Sequence, residues 1–353
     1  MTSIPANKND LSPDWFTKTL NLPNNNRVET VKLEPLGEED SMSGYIYRTK
    51  LHYSSNTNET PKSLVIKLPR SRENRTPFLK QSYIREVRFY QQLAQKAGIP
   101  VPRLIHADLD TQTSDYILVL EDFPDSTNVR NETGATLSQA IKLIENMASL
   151  HSKHWQSTIL SRYKFLNTFE NIIEMFSTTL PNATPVFLSR FKQYLKPDEI
   201  STIQTLEEHF IEIVSPLFDS PRTLLHNDYA MKNILINKDE TVFILVDWAN
   251  VGTGPSVRDL SFFIGTSIPS EIRVDYEGDL IRSYWKSLVR FGVSGFSMDR
   301  LMDDYRRAMV IDLARYVGFG GREFFNSVID SIVKQDVKKI AESVTKLDIK
   351  SLL

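Results

Sequence analysis

The residues of this chain whose types and spacing could do chemistry together lie between His226 and Asp247. The run Leu224-Leu225-His226-Asn227-Asp228-Tyr229-Ala230-Met231-Lys232-Asn233 has the form His-x-Asp-x4-Asn, and Asp247 follows in Phe243-Ile244-Leu245-Val246-Asp247-Trp248. Two short apolar runs, Ile234 to Ile236 and Val242 to Val246, flank Asn237-Lys238-Asp239-Glu240, which reads as a hairpin turn between β-strands. Such a hairpin holds Asp228 and Asn233 at one end of the first strand and Asp247 at the end of the second, so three oxygen-bearing side chains are expected to converge. Phosphoryl transfer needs such a group: a carboxylate to accept the proton of the attacking hydroxyl, and a carboxamide and second carboxylate to hold Mg²⁺ against phosphates. Hard oxygen ligands suit Mg²⁺, where thiolates and imidazoles do not. The same residues also read as a polar loop between core strands, with Asp and Asn as turn formers. The remaining parts must therefore be found upstream, in order.

Three strand candidates lie there: Val28 to Leu36, Tyr45 to Tyr53 and Ser63 to Leu68. The second alternates Tyr45, Tyr47, Thr49, Leu51 and Tyr53 against Ile46, Arg48, Lys50 and His52, the period of a half-exposed antiparallel sheet. Between the first two is the turn Gly37 to Gly44, rich in small and polar residues and ending in Ser43 and Gly44. Lys67 sits inside the third strand, where an ammonium is costly unless it finds an anion. A helix from about Thr76 to Ala97 carries Glu86 beside an apolar face of Phe89, Tyr90 and Leu93. Taken singly, Lys67 is also a snorkelling edge lysine and Glu86 a solvated helix carboxylate. Gly98, Pro100 and Pro102 end the helix. Strands Arg103 to Ala107 and Tyr116 to Leu120 follow, and then Glu121-Asp122-Phe123-Pro124.

In this order the parts resemble the aminoglycoside phosphotransferase and choline kinase-like superfamily, which has the protein kinase-like fold. Ser43-Gly44, Ile66-Lys67-Leu68-Pro69, Glu86-Val87-x-Phe89-Tyr90 and Leu120-Glu121-Asp122 look closest to its ecdysteroid kinase-like branch. The resemblance implies an α+β, bilobal fold. Residues 1–121 would form a small nucleotide-binding lobe, an antiparallel sheet with one long helix, and residues 122–353 a larger, mainly helical catalytic and acceptor-binding lobe carrying the hairpin. It implies ATP and Mg²⁺ as cofactors. Lys67 would meet the α- and β-phosphates, steadied by Glu86, with Ser43 and Gly44 in the loop over the phosphates. Glu121, Asp122 and Phe123 would form the hinge, whose backbone meets adenine. Asp228 would face the acceptor as the catalytic residue, Asn233 and Asp247 would hold the metal, and His226 would be a strut for the loop. The glycine pattern of protein kinases is missing, with only Gly37 and Gly44 present, and Ala249 stands where they have a glycine after Asp247-Trp248. The implied activity is transfer of the γ-phosphate of ATP to a hydroxyl of a small molecule. The competing reading, from a different class, is a catalytically silent pseudokinase or scaffold.

Composition describes a soluble globular protein. Of 353 residues, 41% are hydrophobic and 24% charged, enough to bury one large core or two. The formal net charge of -2, with no long block of one sign, indicates neither nucleic acid nor a polybasic membrane surface as partner. The absence of cysteine excludes disulfides and thiolate chemistry. With no apolar leader and no run of spanning length, no membrane insertion is expected and a cytoplasmic location is. Nothing in the sequence sets an oligomeric state. In the second half, Leu137 to His154 reads as a helix whose His151 and His154 pack rather than bind metal. Residues 160–220 read as helices broken by Pro181, Pro185, Pro197 and Pro216. Asp259 is expected to cap a helix or anchor the catalytic loop.

Overall fold

Period-two alternation in the first third of the chain becomes one antiparallel sheet. The computed structural model describes residues 4–23, 25–36, 44–55, 60–128, 133–321, 337, 339–346 and 348–353. In it β1 (Val28–Pro35), β2 (Tyr45–Tyr53), β3 (Ser63–Leu68), β4 (Leu104–Leu109) and β5 (Tyr116–Glu121) lie in the order β1-β2-β3-β5-β4, each neighbouring pair antiparallel. Alternate residues of a strand face opposite ways, and here the two faces do different work. Leu64, Ile66 and Leu68 of β3, with Ile117 and Val119 of β5 and Tyr47 and Leu51 of β2, bury Trp15 and Phe16 of α1 (Pro13–Thr19). That short helix is fixed by Ser12, whose hydroxyl accepts the Trp15 N–H. Lys67 belongs to the alternate set of β3, the set that excludes the apolar cluster, and it meets α2 (Pro77–Gln92).

The Thr76 hydroxyl caps α2 by accepting the Leu79 N–H, and Pro77 occupies its first turn. The helix ends sooner than Ala97: the chain tightens into a 3₁₀ turn at Ala94–Lys96, an economical way to use the last carbonyls before Gly98.

By internal contacts the chain divides into two units, Met1–Thr127 with Leu235–Asn250, and Asn128–Ile234 with Val251–Leu353. The first unit thus takes in a segment that a single boundary at residue 121 assigns to the second. The two-residue strand β6 (Thr127–Asn128) lies where the chain passes between them.

The second unit contains α3 (Leu137–Lys153), β7 (Asn167–Thr168), α4 (Phe169–Phe191), α5 (Pro197–Val214) and β8 (Arg222–Leu225), and later β11 (Gly252–Pro255), α6 (Val257–Ser267), α7 (Ser270–Arg290) and α8 (Met298–Gly320). Every residue of α6 is buried, and α8 packs against α4, α5 and α6. The expected breaks at Pro181 and Pro185 do not occur, since α4 runs through both. The two prolines stand one turn apart on the exposed side, opposite Phe176, Leu180, Ala183 and Phe187. The hydrogen bonds they remove are on the solvent side, where water can satisfy the carbonyls. The sequence reading also passed over β11, which pairs antiparallel with β8 and parallel with β7.

Between these segments, β9 (Ile234–Ile236) and β10 (Phe243–Leu245) are neighbours in a sheet, as the hairpin requires. The Asn237 side chain closes the turn by accepting the N–H groups of Thr241 and Val242. No described helix is long and apolar enough to cross a membrane.

Candidate active site

In the first unit, Lys67, Glu86 and Asp247 come together. Lys67 Nζ lies 2.6 Å from Glu86 Oε1 and 3.2 Å from Asp247 Oδ1. Lys67 is 8% exposed and Glu86 3%, so neither the edge lysine nor the solvated carboxylate survives as a reading. Burial acts to lower the lysine's pKa, but Asp247 and Glu86 outweigh it and hold the ammonium charged well above its ordinary range. Two carboxyl groups thus share one cation. Asp247 is the more exposed of the two acids and sits at φ +66°, in the left-handed region. A small cavity beside the ammonium is lined by Gly44, Lys67, Ser82, Glu86, Asp247 and Ala249.

Gly44 has a reason of its own to be glycine. At φ +137° a Cβ there would lie 2.5 Å from the Leu68 carbonyl oxygen. Ser43 lies outside the described residues. In the Glu121-Asp122-Phe123 run, the Glu121 N–H donates to the Arg103 carbonyl at 3.0 Å, and the Glu121 carboxylate accepts the Arg103 N–H at 3.3 Å. Asp122 takes a two-pronged bond from Arg48, at 2.9 and 3.1 Å. The Phe123 carbonyl accepts the Ser126 N–H. Both carboxylates are therefore committed to the protein itself.

The second unit holds Asp228 and Asn233. Asp228 Oδ1 accepts from Arg315 Nη2 at 2.9 Å; Oδ2 accepts from Asn233 Nδ2 at 2.9 Å and pairs with Lys232 Nζ at 3.0 Å. Burial pushes this carboxyl up, but Lys232, Arg315 and His226 outweigh it and hold it far below the usual carboxylate range. The Asn233 amide nitrogen also donates to the Asp228 carbonyl at 2.8 Å. With its nitrogen spent twice on Asp228, the carboxamide has its oxygen as the end for a cation.

The loop that carries these groups is hung on Asp259. Its two oxygens accept the backbone N–H groups of His226 and Asn227, both at 2.8 Å, and His151 Nε2 lies 3.2 Å from Oδ2. His151 Nδ1 in turn is 2.6 Å from the Tyr284 hydroxyl. This makes His151 a structural member of a buried chain and Asp259 the anchor. His226 acts as a strut, its Nδ1 accepting the Asp228 N–H at 3.2 Å.

Sequence reasoning missed Arg315 and Lys232. Arg315 also donates to the Asn227 carbonyl at 3.0 Å, and its guanidinium lies over the Phe262 ring at 4.4 Å. In the structure Arg315, itself partly buried, stands among the buried Ile311, Asp312 and Tyr316 of α8. A cation in such surroundings needs an anion, by the argument that singles out Lys67.

The donor types fit Mg²⁺. Asn233 and Asp247 offer oxygen only, and Mg²⁺ takes one or two protein carboxylates with substrate phosphates rather than a full protein cage. Among the described residues no group of three or more His, Cys, Asp or Glu side chains is assembled for a metal.

The strand order of the first unit and the helices of the second define a kinase-like phosphotransferase fold. Similar solved structures include a Ralstonia eutropha protein classed by inference as an aminoglycoside phosphotransferase, at a TM-score of 0.61 and 14% identity, covering 96% of this chain and 97% of that one. The macrolide 2'-phosphotransferase MphH from Brachybacterium faecium has a TM-score of 0.55 at 14% identity, covering 92% of this chain and 97% of that one. An amicoumacin kinase solved with AMP-PNP, Ca²⁺ and amicoumacin has a TM-score of 0.54 at 14% identity, covering 91% and 92%. The sequence model of the Ecdysteroid kinase-like family matches residues 38–292, and the chain belongs to that family. A Caenorhabditis elegans protein named uncharacterized oxidoreductase dhs-27 is 20% identical over 344 residues; the match covers 86% of this chain and 41% of that protein.

Proposed function

We propose that the chain is an ATP-dependent kinase that transfers the γ-phosphate to a hydroxyl of a small molecule. The observation that carries this reading is the buried ammonium of Lys67, held by Glu86 and Asp247 beside a cavity. In it Lys67 meets the α- and β-phosphates and Glu86 keeps the ammonium in place. Glu121, Asp122 and Phe123 form the hinge toward adenine through backbone groups, and Gly44, with Ser43, belongs to the loop over the phosphates. Asn233 and Asp247 would hold Mg²⁺, which would supply charge neutralisation at the phosphates. Asp228 orients the acceptor hydroxyl and receives its proton. The new bond joins the acceptor oxygen to the γ-phosphorus as the β–γ bridging bond breaks, and the electron pair leaves with ADP. Residues 1–121 serve as the nucleotide lobe and 122–353 as the catalytic and acceptor lobe. The protein is placed in the cytoplasm, with small metabolites rather than nucleic acid or membrane as partners.

The neighbours support the nucleotide, since the amicoumacin kinase is solved with AMP-PNP and an aminoglycoside phosphotransferase with ADP. The oxidoreductase name is that of a protein of which this chain covers 41%. Gly252-Thr253-Gly254 does not serve as a dinucleotide cradle here. A Cβ at Gly252 would lie 2.3 Å from the Asn167 carbonyl oxygen, and one at Gly254 3.1 Å from Leu225, so both glycines are filled by the protein's own packing.

Labelled-phosphate transfer from ATP to a panel of hydroxylated metabolites tests the reading. The parent should label at least one acceptor, and Asp228→Asn should label it about 10²–10⁴-fold more slowly while still binding ADP. Nucleotide binding with no transfer across the panel would favour the silent scaffold.

A further inference from the structure

One helix face reaches both Lys67 and Asp247. On α2, Glu86 takes the lysine, and its neighbours take the segment that follows the aspartate. Arg85 Nε donates to the Ala249 carbonyl at 2.9 Å. The Phe89 ring stacks on the Trp248 indole with centroids 3.8 Å apart and planes 9° from parallel. The Trp248 backbone N–H donates to the Glu86 carboxylate. Asp247 precedes these anchored residues at φ +66°, a conformation that a non-glycine residue holds where its surroundings impose it.

Arg85 is unusual for a buried cation. It is 7% exposed, and burial brings its pKa down to about 10. Among the described residues its recorded partners are the Ala249 carbonyl, the Ser82 hydroxyl at 3.0 Å and the Phe78 ring, none of them an anion. A guanidinium desolvated without a countercharge is expensive as filler, and its place is explained by what it holds.

We propose that Arg85 and Phe89 are positioning residues for Asp247, fixing its backbone through Ala249 and Trp248 while Glu86, on the same helix turn, fixes Lys67. The inference rests on the reading of Asp247 as the metal-binding carboxylate of a nucleotide site. Neither residue supplies a metal ligand in this scheme, so both act on the metal's contribution to nucleotide affinity and not on metal-free binding.

Calorimetric titration of ADP onto the full chain, once with Mg²⁺ and once with EDTA, tests this for the parent, Arg85→Gln, Arg85→Lys and Phe89→Leu. The parent is expected to bind ADP roughly tenfold tighter with Mg²⁺. Arg85→Gln and Phe89→Leu should lose most of that gain while their Kd in EDTA stays within about twofold of the parent's. Arg85→Lys keeps a donor for the Ala249 carbonyl and should recover part of it. A residue that merely supported the fold would weaken both titrations together. If Phe89→Leu fails to melt cooperatively, the two Arg85 variants decide. A parent-sized Mg²⁺ gain in folded Arg85→Gln overturns the positioning role alone, whereas a parent that shows no Mg²⁺ gain overturns the metal reading with it.

Discussion

Arg315 holds Asp228 from a helix 87 residues further along the chain, with Nη2 2.9 Å from Oδ1. The same guanidinium grips the Asn227 carbonyl, so the side chain and the backbone before it are set by one planar fork. Arg315→Ala is expected to lower kcat by about 10–100-fold, because a carboxylate that loses its orienting partner reaches the acceptor less often. ADP affinity should be unchanged, and Arg315→Lys should recover little, since an ammonium cannot serve both acceptors with the same geometry. Steady-state kinetics on an identified acceptor, with ADP titration alongside, checks the split.

Asp259→Ala should be the most damaging single change at the loop. It leaves the buried N–H groups of His226 and Asn227 without their acceptors, together with a histidine that faced a carboxylate. Breaking a buried charged partner in this way costs about 3–5 kcal/mol. Asp259→Asn retains one acceptor oxygen and should lose less. Urea denaturation of the two variants against the parent measures both.

The pH dependence of stability has a marker in the first unit at Asp115. Burial alone would raise its pKa, but hydrogen bonds from Arg72, Arg75 and Thr113 hold it at about 2. A folded value below the unfolded one contributes stability that is present above about pH 4 and is lost as pH falls through about 2. The parent's urea midpoint should therefore fall more steeply between pH 4 and pH 2 than that of Asp115→Asn. Parallel curves would remove Asp115 from the account.

What the sequence disclosed follows a physical line. Lys67 and Glu86 were readable because a cation inside an apolar strand needs an anion, and the next helix presents one at the right distance along the chain. The ends of β2 were readable from its alternation. Arg315 was passed over because its partner is far away in sequence, and a single arginine in a long helical stretch looks solvated until the buried face is known. The continuity of α4 through Pro181 and Pro185 depends on which side faces water, a tertiary fact. β11 escaped because Gly252-Thr253-Gly254-Pro255 has none of the β-branched or aromatic pattern of a strand and forms where β8 gives it a partner.

The assignment of Leu235–Asn250 to the first unit bears on how the chain is made. On a ribosome, α2 emerges long before the indole that its phenylalanine stacks against. Until residue 250 is out, Phe89 lacks that cover and Arg85 has no carbonyl to grip, so the amino-terminal part of the first unit must wait, incomplete, for a strip of polypeptide synthesised after more than a hundred intervening residues.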